Sequence, residues 1–179
     1  MNPVSTRQIL RSSSASRNEI RELLQGLFVR ELLHPSRCLW LVSPWVRDIE
    51  VLDNRTAAFR SLDPDLPPTS LRLSEVLRRL LVRGTRLVLA TRPEPESLRF
   101  CKTLQEWVVG RLPPEALTLY KRDVLHTKGL VGDDFGLIGS MNFTHSGIEI
   151  QTELVTLQRD PAQVARLRVD FQAEYGGEL

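Results

Sequence analysis

His126-Thr127-Lys128 and, after a short turn, Gly139-Ser140-Met141-Asn142 decide how this chain is read. In an extended strand, residues two apart project from the same face, so His126 shares a face with Lys128, and Ser140 with Asn142. Pairing residues 126–132 with 136–141 through a loop at Asp133-Asp134-Phe135 predicts Lys128 beside Ser140 and His126 beside Asn142. Imidazole, ammonium, hydroxyl and amide then converge, a set suited to an anionic tetrahedral centre. A lone His-x-Lys on a strand is commonplace. The following Gly-Ser-x-Asn, and Glu153 eleven residues after Asn142, make the spacing a candidate for catalysis.

Outward from this stretch, the chain alternates apolar runs with helical periodicity. Ile20, Leu23, Leu24, Leu27 and Phe28 recur at helical spacing between Asn18, a plausible cap, and Leu33. Residues 38–42 form a continuous apolar run stopped at Ser43-Pro44-Trp45, the pattern of a strand buried on both faces. Asp53-Asn54, Asp63-Pro64 and Pro67-Pro68 mark residues 47–70 as a long irregular connection. A helix starting at Ser70 or Ser74 and closed by Gly84 leads to a buried strand over 86–90. Pro95 opens another helix to about Leu112, ahead of a strand over 117–121. Beyond the motif, residues 153–157 read as a strand, and Asp160-Pro161 opens a last helix through Ala173. This order predicts an α/β protein: a three-layer α/β/α sandwich with a mixed, largely parallel central sheet. Residues 1–17, polar and Ser-rich, are expected to be a flexible N-terminal arm, and 18–179 a single domain.

The bulk composition narrows the function classes. The chain has 179 residues, 41% hydrophobic and 26% charged, with no apolar run long enough to span a membrane and no apolar stretch of a secretory signal near its start. A cytoplasmic protein without membrane partners is expected. Cys38 and Cys101 fit free apolar thiols, and no zinc-ligand spacing is present, so neither a metal nor a cofactor is expected. The net charge is only +2, yet all but three of the 24 basic residues are arginine, the side chain that contacts phosphate bidentately. Genomic base composition alone also produces such a bias.

His-x-Lys, an Asp five residues after the Lys, and Gly-Ser-x-Asn together resemble the signature of the phospholipase D superfamily, carried here by His126, Lys128, Asp133, Gly139, Ser140 and Asn142. Glu153 stands where the small bacterial nucleases of that family carry a glutamate that orients the histidine. One departure is a spacing of five residues between Asp133 and Gly139 where the family usually has six, which leaves either Asp133 or Asp134 as the motif aspartate. The resemblance implies a phosphodiesterase with His126 as nucleophile, Lys128, Ser140 and Asn142 as phosphate-binding groups, Glu153 as the residue that holds the histidine tautomer, and Asp133 and Gly139 in supporting roles. Because the motif occurs once, it also implies a homodimer in which two copies complete a two-histidine site without a metal. The Ser-Pro-Trp-Val and Leu-Asp-Asn-Arg stretches at 43–55 resemble the phospholipase D-like proteins of phage-defence clusters associated with 7-deazaguanine DNA modification. That narrower likeness implies a restriction-type role on DNA and other defence-system subunits as partners.

Two further readings stand beside the DNA endonuclease. One is a phospholipid hydrolase or phosphatidyl transferase, which shares the catalytic core. The other is a non-catalytic nucleic-acid-binding subunit of a defence complex. Trp45 at a strand end, Arg122 leading into the motif and His145 just after it are further candidates for a substrate groove, each with an ordinary packing or surface alternative. His34, at a helix end before Pro35, reads as a cap or surface residue.

Overall fold

Within residues 5–11, 17–61 and 64–179, which the computed structural model describes, the chain runs β1 (Thr6–Arg11), α1 (Arg17–Leu33), β2 (Cys38–Val42), β3 (Glu50–Asp53), β4 (Ser70–Arg72), α2 (Leu73–Val82), β5 (Arg86–Thr91), α3 (Pro95–Val108), β6 (Leu117–Lys121), β7 (Gly129–Val131), β8 (Gly136–Gly139), β9 (Glu153–Gln158) and α4 (Pro161–Tyr175). Alternation along the central strands divides the interior in two. Leu39 and Leu41 of β2, with Leu87 and Leu89 of β5, pack under α1, α2 and α3 through Leu24, Phe28, Leu77 and Leu104. Cys38, Trp40 and Val42, with Val88 and Ala90, face Phe171 and Tyr175 of α4. Three layers result, as expected for strands that are apolar at every position. Both cysteines are buried free thiols. Among the described residues, no helix is long and apolar enough to cross a membrane.

The main sheet has the order β1-β9-β8-β7-β2-β5-β6. Only β2–β5 and β5–β6 pair in parallel; the other four neighbours are antiparallel. The sheet is therefore mixed, but mostly antiparallel where a largely parallel one was expected. At the β7–β8 hairpin, whose connection is residues 132–135, connection length requires the antiparallel arrangement. Parallel strands need a crossover of a dozen or more residues, far more than separates β7 from β8.

Four further expectations change. Thr6–Arg11 is not part of a flexible arm: it forms edge strand β1, paired antiparallel along its full length with β9 from Thr6↔Gln158 to Arg11↔Glu153. Residues 1–4, the Ser-rich stretch 12–16 and Asp63 of the irregular connection lie outside the described residues. The 47–70 connection carries a small two-stranded sheet, β3–β4, organised by the buried Asn54, whose amide donates to Pro67 O at 2.8 Å and accepts from Phe59 N at 3.0 Å. Helix α1 begins at Arg17, so Asn18 lies in its first turn and not at its cap. Ser74 likewise sits inside α2, where Asp48 accepts from its backbone N–H and its hydroxyl, both at 2.9 Å, placing a carboxylate at the positive helix end.

The tip of the β7–β8 hairpin is held by a buried polar network. Gly132 N–H donates to Phe135 O at 3.0 Å, so the turn closes at Asp133-Asp134 and Phe135 joins the ladder side. Phe135 was expected in the loop; at 1% exposure it is a core residue, and burial of its ring draws it out of the turn. The fully buried Glu31 carboxylate accepts from Ser36 N–H at 2.9 Å and from its hydroxyl at 2.8 Å, while Ser36 Oγ accepts from Asp133 N–H at 2.8 Å. Burial pushes the Glu31 carboxyl up despite these donors. Asp133 pairs with Arg168, which is 6% exposed, and accepts from Arg37 N–H at 3.0 Å, whereas Asp134 pairs with Arg30 nearer solvent. Partial burial raises the Asp133 carboxyl, but the Arg168 and Arg37 contacts outweigh it and hold it below the usual Asp value. A carboxyl lowered on folding stabilises the fold above its unfolded pKa, and that contribution disappears as pH falls through the folded value. Replacing Asp133 by Asn strands the Arg168 charge and is expected to cost on the order of 2–3 kcal/mol at neutral pH in urea unfolding. The deficit should shrink in acid, as pH falls below the ordinary Asp range and through the lowered folded value of the wild-type carboxyl.

Candidate active site at the sheet edge

The motif residues lie where the central ladder ends. Strand β7 spans only Gly129–Val131 and β8 only Gly136–Gly139, so His126 and Lys128 occupy the irregular entry to one strand, and Ser140 and Asn142 the exit from the other. The register pairs Gly129 with Ile138, and Gly139 N–H approaches Lys128 O at 3.4 Å. Lys128 thus faces Gly139, one residue short of the expected partner Ser140. The shift follows from the hairpin closing at Asp133-Asp134 instead of around a three-residue loop. Gly139 is required by a close approach: a Cβ there would lie 2.1 Å from Leu154 O. Gly147 is similar, since a Cβ would meet Asn142 O at 2.4 Å where the π-helical turn Ser146–Ile150 packs back on the motif.

Two anchors fix the exit segment. The Ser140 hydroxyl donates to Glu153 and accepts from Leu154 N–H at 3.0 Å. Among the described residues this is the hydrogen bond the buried Glu153 carboxylate makes; the expected bond from Glu153 to the His126 ring does not appear. Ser140, expected to hold phosphate, has its proton committed to Glu153. Asn142 is 6% exposed, and its Oδ1 accepts from the fully buried Ser43 hydroxyl at 3.2 Å. Ser43 shares that proton with Trp45 O at 2.9 Å and accepts from Phe143 N–H at 3.3 Å. Arg47 N–H donates to Phe143 O at 2.8 Å, completing a seam between residues 43–47 and the motif. With Oδ1 held, the Asn142 amide nitrogen is the end available to an oxyanion.

The imidazole of His126 is exposed, behind the buried Leu125. Lys128 Nζ donates to His126 O at 2.7 Å, which sets the ammonium beside the histidine backbone. Arg92 comes within 3.3 Å of His126 Nε2 through Nη2, while its Nε donates to Leu125 O at 3.0 Å. A guanidinium has no acceptor, so this contact is a hydrogen bond when Nε2 carries the lone pair. Arg92 also lies 5.5 Å from the centre of the Trp45 ring. One face of Trp45, the substrate-groove candidate at the strand end and 41% exposed, therefore carries a cation.

Arg122 and His145 do not join this cluster. Arg122 is tied to α4 by the Glu174 carboxylate and by Glu174 O at 2.8 Å, with its guanidinium 5.5 Å from the Tyr175 ring. His145 lines a cavity of about 390 Å³ with Arg21, Asp48, Arg72 and Glu149. Arg92 and Ser43 are the site residues that spacing did not single out. Their position was the available signal: each ends or follows a central parallel strand, at the carboxyl edge where open α/β sheets bind ligands. Among the described residues, no group of three or more His, Cys, Asp or Glu side chains is placed to hold a metal ion.

Solved structures place the fold. The chain superposes on NucT from Helicobacter pylori with a TM-score of 0.54 at 10% identity, covering 94% of each chain. It matches Nuc from Salmonella typhimurium, a phospholipase D family member, with a TM-score of 0.53 at 12% identity over 94% of this chain and 92% of that one. Phosphatidylserine synthase from Haemophilus influenzae matches at 0.57 and 15% identity; 97% of this chain is covered but only 37% of the synthase. No protein-family model and no curated protein matches the sequence. The fold is thus phospholipase D-like.

The seam makes Ser43 the residue to test. Ser43→Ala leaves Asn142 Oδ1 and Phe143 N–H short of a buried partner and is expected to lower stability by about 1–3 kcal/mol in urea titration. Amide exchange at Phe143 should accelerate with it.

Proposed function

We propose that this protein is a phosphodiesterase, specifically a DNA endonuclease that works through a phosphohistidine without a metal ion. The observation that carries the reading is an exposed imidazole at the carboxyl edge of the sheet with a guanidinium at its Nε2 and an ammonium at its own carbonyl. Phosphodiesters repel nucleophiles and expel a poor alkoxide, so catalysis needs positive charge and a proton donor together. In the proposed cycle the His126 nitrogen bonds to phosphorus, and the P–O bond to the leaving nucleoside breaks. The leaving oxygen takes a proton from His126 of a second copy of the chain. That second imidazole then accepts a proton from water as water displaces the phosphoryl group from the first histidine. Lys128 and the Asn142 amide stabilise the non-bridging oxygens. Ser140 and Glu153 set the path of the exit segment, and Asp133 and Gly139 support the hairpin.

DNA as substrate is supported by the arginine-dominated basic composition and by the coverage of nearly the whole Nuc chain. Homodimerisation follows from a single motif and a mechanism that needs two imidazoles. The likeness around residues 43–55 supports a role in phage defence with other subunits. Phospholipid chemistry is the second reading, favoured by the match to phosphatidylserine synthase, although that match spans about a third of the synthase.

His126→Ala is expected to lose plasmid cleavage by at least about 10³-fold while retaining much DNA binding. Wild-type cleavage should persist in excess EDTA, and light scattering should read two chains per particle. Undiminished cleavage by the variant, read by gel, contradicts the assignment. Hydrolysis of phosphatidylglycerol vesicles in place of DNA selects the second reading.

A further inference from the structure

We infer that Arg92 is an additional substrate-contacting residue of this site, one that guards the His126 nitrogen in the resting protein and passes to a phosphate oxygen when the diester binds. The inference rests on the phosphodiesterase reading and extends it to a residue outside the motif. Arg92 is 34 residues from His126 in the chain, and the sheet brings them together. The β2–β5 ladder continues past its strands: Ser43 N–H donates to Ala90 O at 3.0 Å, Thr91 Oγ1 to Pro44 O at 3.1 Å and Arg92 N–H to Pro44 O at 3.1 Å. This extension sets Trp45 beside Arg92. The Leu125 carbonyl then fixes the Nε edge of the guanidinium, and the Trp45 ring backs its carbon at 5.5 Å.

The orientation leaves the terminal nitrogens as the working end. Nη2 lies 3.3 Å from His126 Nε2. A phosphorus poised for attack stands about 3–3.5 Å from the nucleophile, so its non-bridging oxygens come within reach of the same guanidinium. Arg92 can then exchange a neutral nitrogen acceptor for an anionic oxygen, a stronger charge-assisted contact. The exchange frees the lone pair at the moment the electrophile arrives. Because the contact to Leu125 O is made by Nε, the anchor holds while the terminal nitrogens change partner. A lysine could replace the charge but neither the fork nor the stacking on Trp45.

The test compares wild type, Arg92→Ala, Arg92→Lys and His126→Ala on bis(4-nitrophenyl) phosphate, with inorganic phosphate affinity measured by calorimetry on the same four proteins and thermal midpoints as a folding control. Arg92→Ala should lose about 10²-fold or more in kcat/KM and about tenfold in phosphate affinity. Arg92→Lys should fall between it and wild type. Millimolar guanidinium should restore part of the Arg92→Ala loss and leave wild type unchanged, which a purely structural role would not allow. Turnover and phosphate affinity equal to wild type in a folded Arg92→Ala protein overturn the inference, as does an activity loss that guanidinium does not relieve with phosphate affinity intact. If His126→Ala turns over the diester normally, the phosphodiesterase reading itself fails. If His126→Ala is inert and Arg92→Ala fully active, only the role of Arg92 does.

Discussion

The hydroxyl of Ser43 is the point on which the site depends. It is buried where β2 runs out of its strand, and it joins Trp45 O, Asn142 Oδ1 and Phe143 N–H within 3.3 Å. Through Trp45 it sets the platform under Arg92, and through Asn142 it sets the amide on the opposite strand exit. A buried hydroxyl gains little net free energy from its bonds, but leaving its partners unsatisfied is costly, so the segments it joins are held in one arrangement. The exposed imidazole of His126 is consequently framed by groups whose positions are fixed from the core outward.

The β7–β8 hairpin divides two kinds of charge between its ends. At the turn, Asp133 meets Arg168 and Arg37 in a partly buried pair, and Glu31 and Ser36 secure the backbone beneath it. Here each carboxylate faces a guanidinium of opposite sign, the pattern of a structural brace. At the open end, among the described residues, the cations of Lys128 and Arg92 approach neutral atoms, two backbone carbonyl oxygens and a ring nitrogen. Positive charge without a matching anion among the described residues, next to an accessible imidazole, is an arrangement an incoming phosphate would complete.

Much of this was legible in the sequence, and the failures have physical causes. The continuous apolar runs at 38–42 and 86–90 gave buried central strands because residues on both faces must avoid water. Helix α1 follows from periodicity, α2 from its closing Gly84, and α3 and α4 from proline at their first turn. The hairpin stands where spacing puts it but one residue out of register, because Phe135 follows two aspartates in a turn-like stretch and is nonetheless buried in the core. The strand Thr6–Arg11 was hidden since its partner lies some 150 residues away and local composition is polar. His126, Lys128, Ser140, Asn142 and Glu153 are the residues that spacing nominates. Their division of labour is not legible there: Glu153 takes Ser140, and Arg92 approaches His126, contacts that depend on strand ends meeting in space.

The covalent step is the central claim, and trapping it is the most direct measurement. A DNA oligonucleotide is incubated with the protein in excess EDTA, quenched in alkali during turnover, and the peptides mapped by mass spectrometry. The account predicts a nucleotidyl adduct on His126, stable in alkali and lost in acid. Turnover with no adduct on His126, or an adduct on another residue, would contradict it.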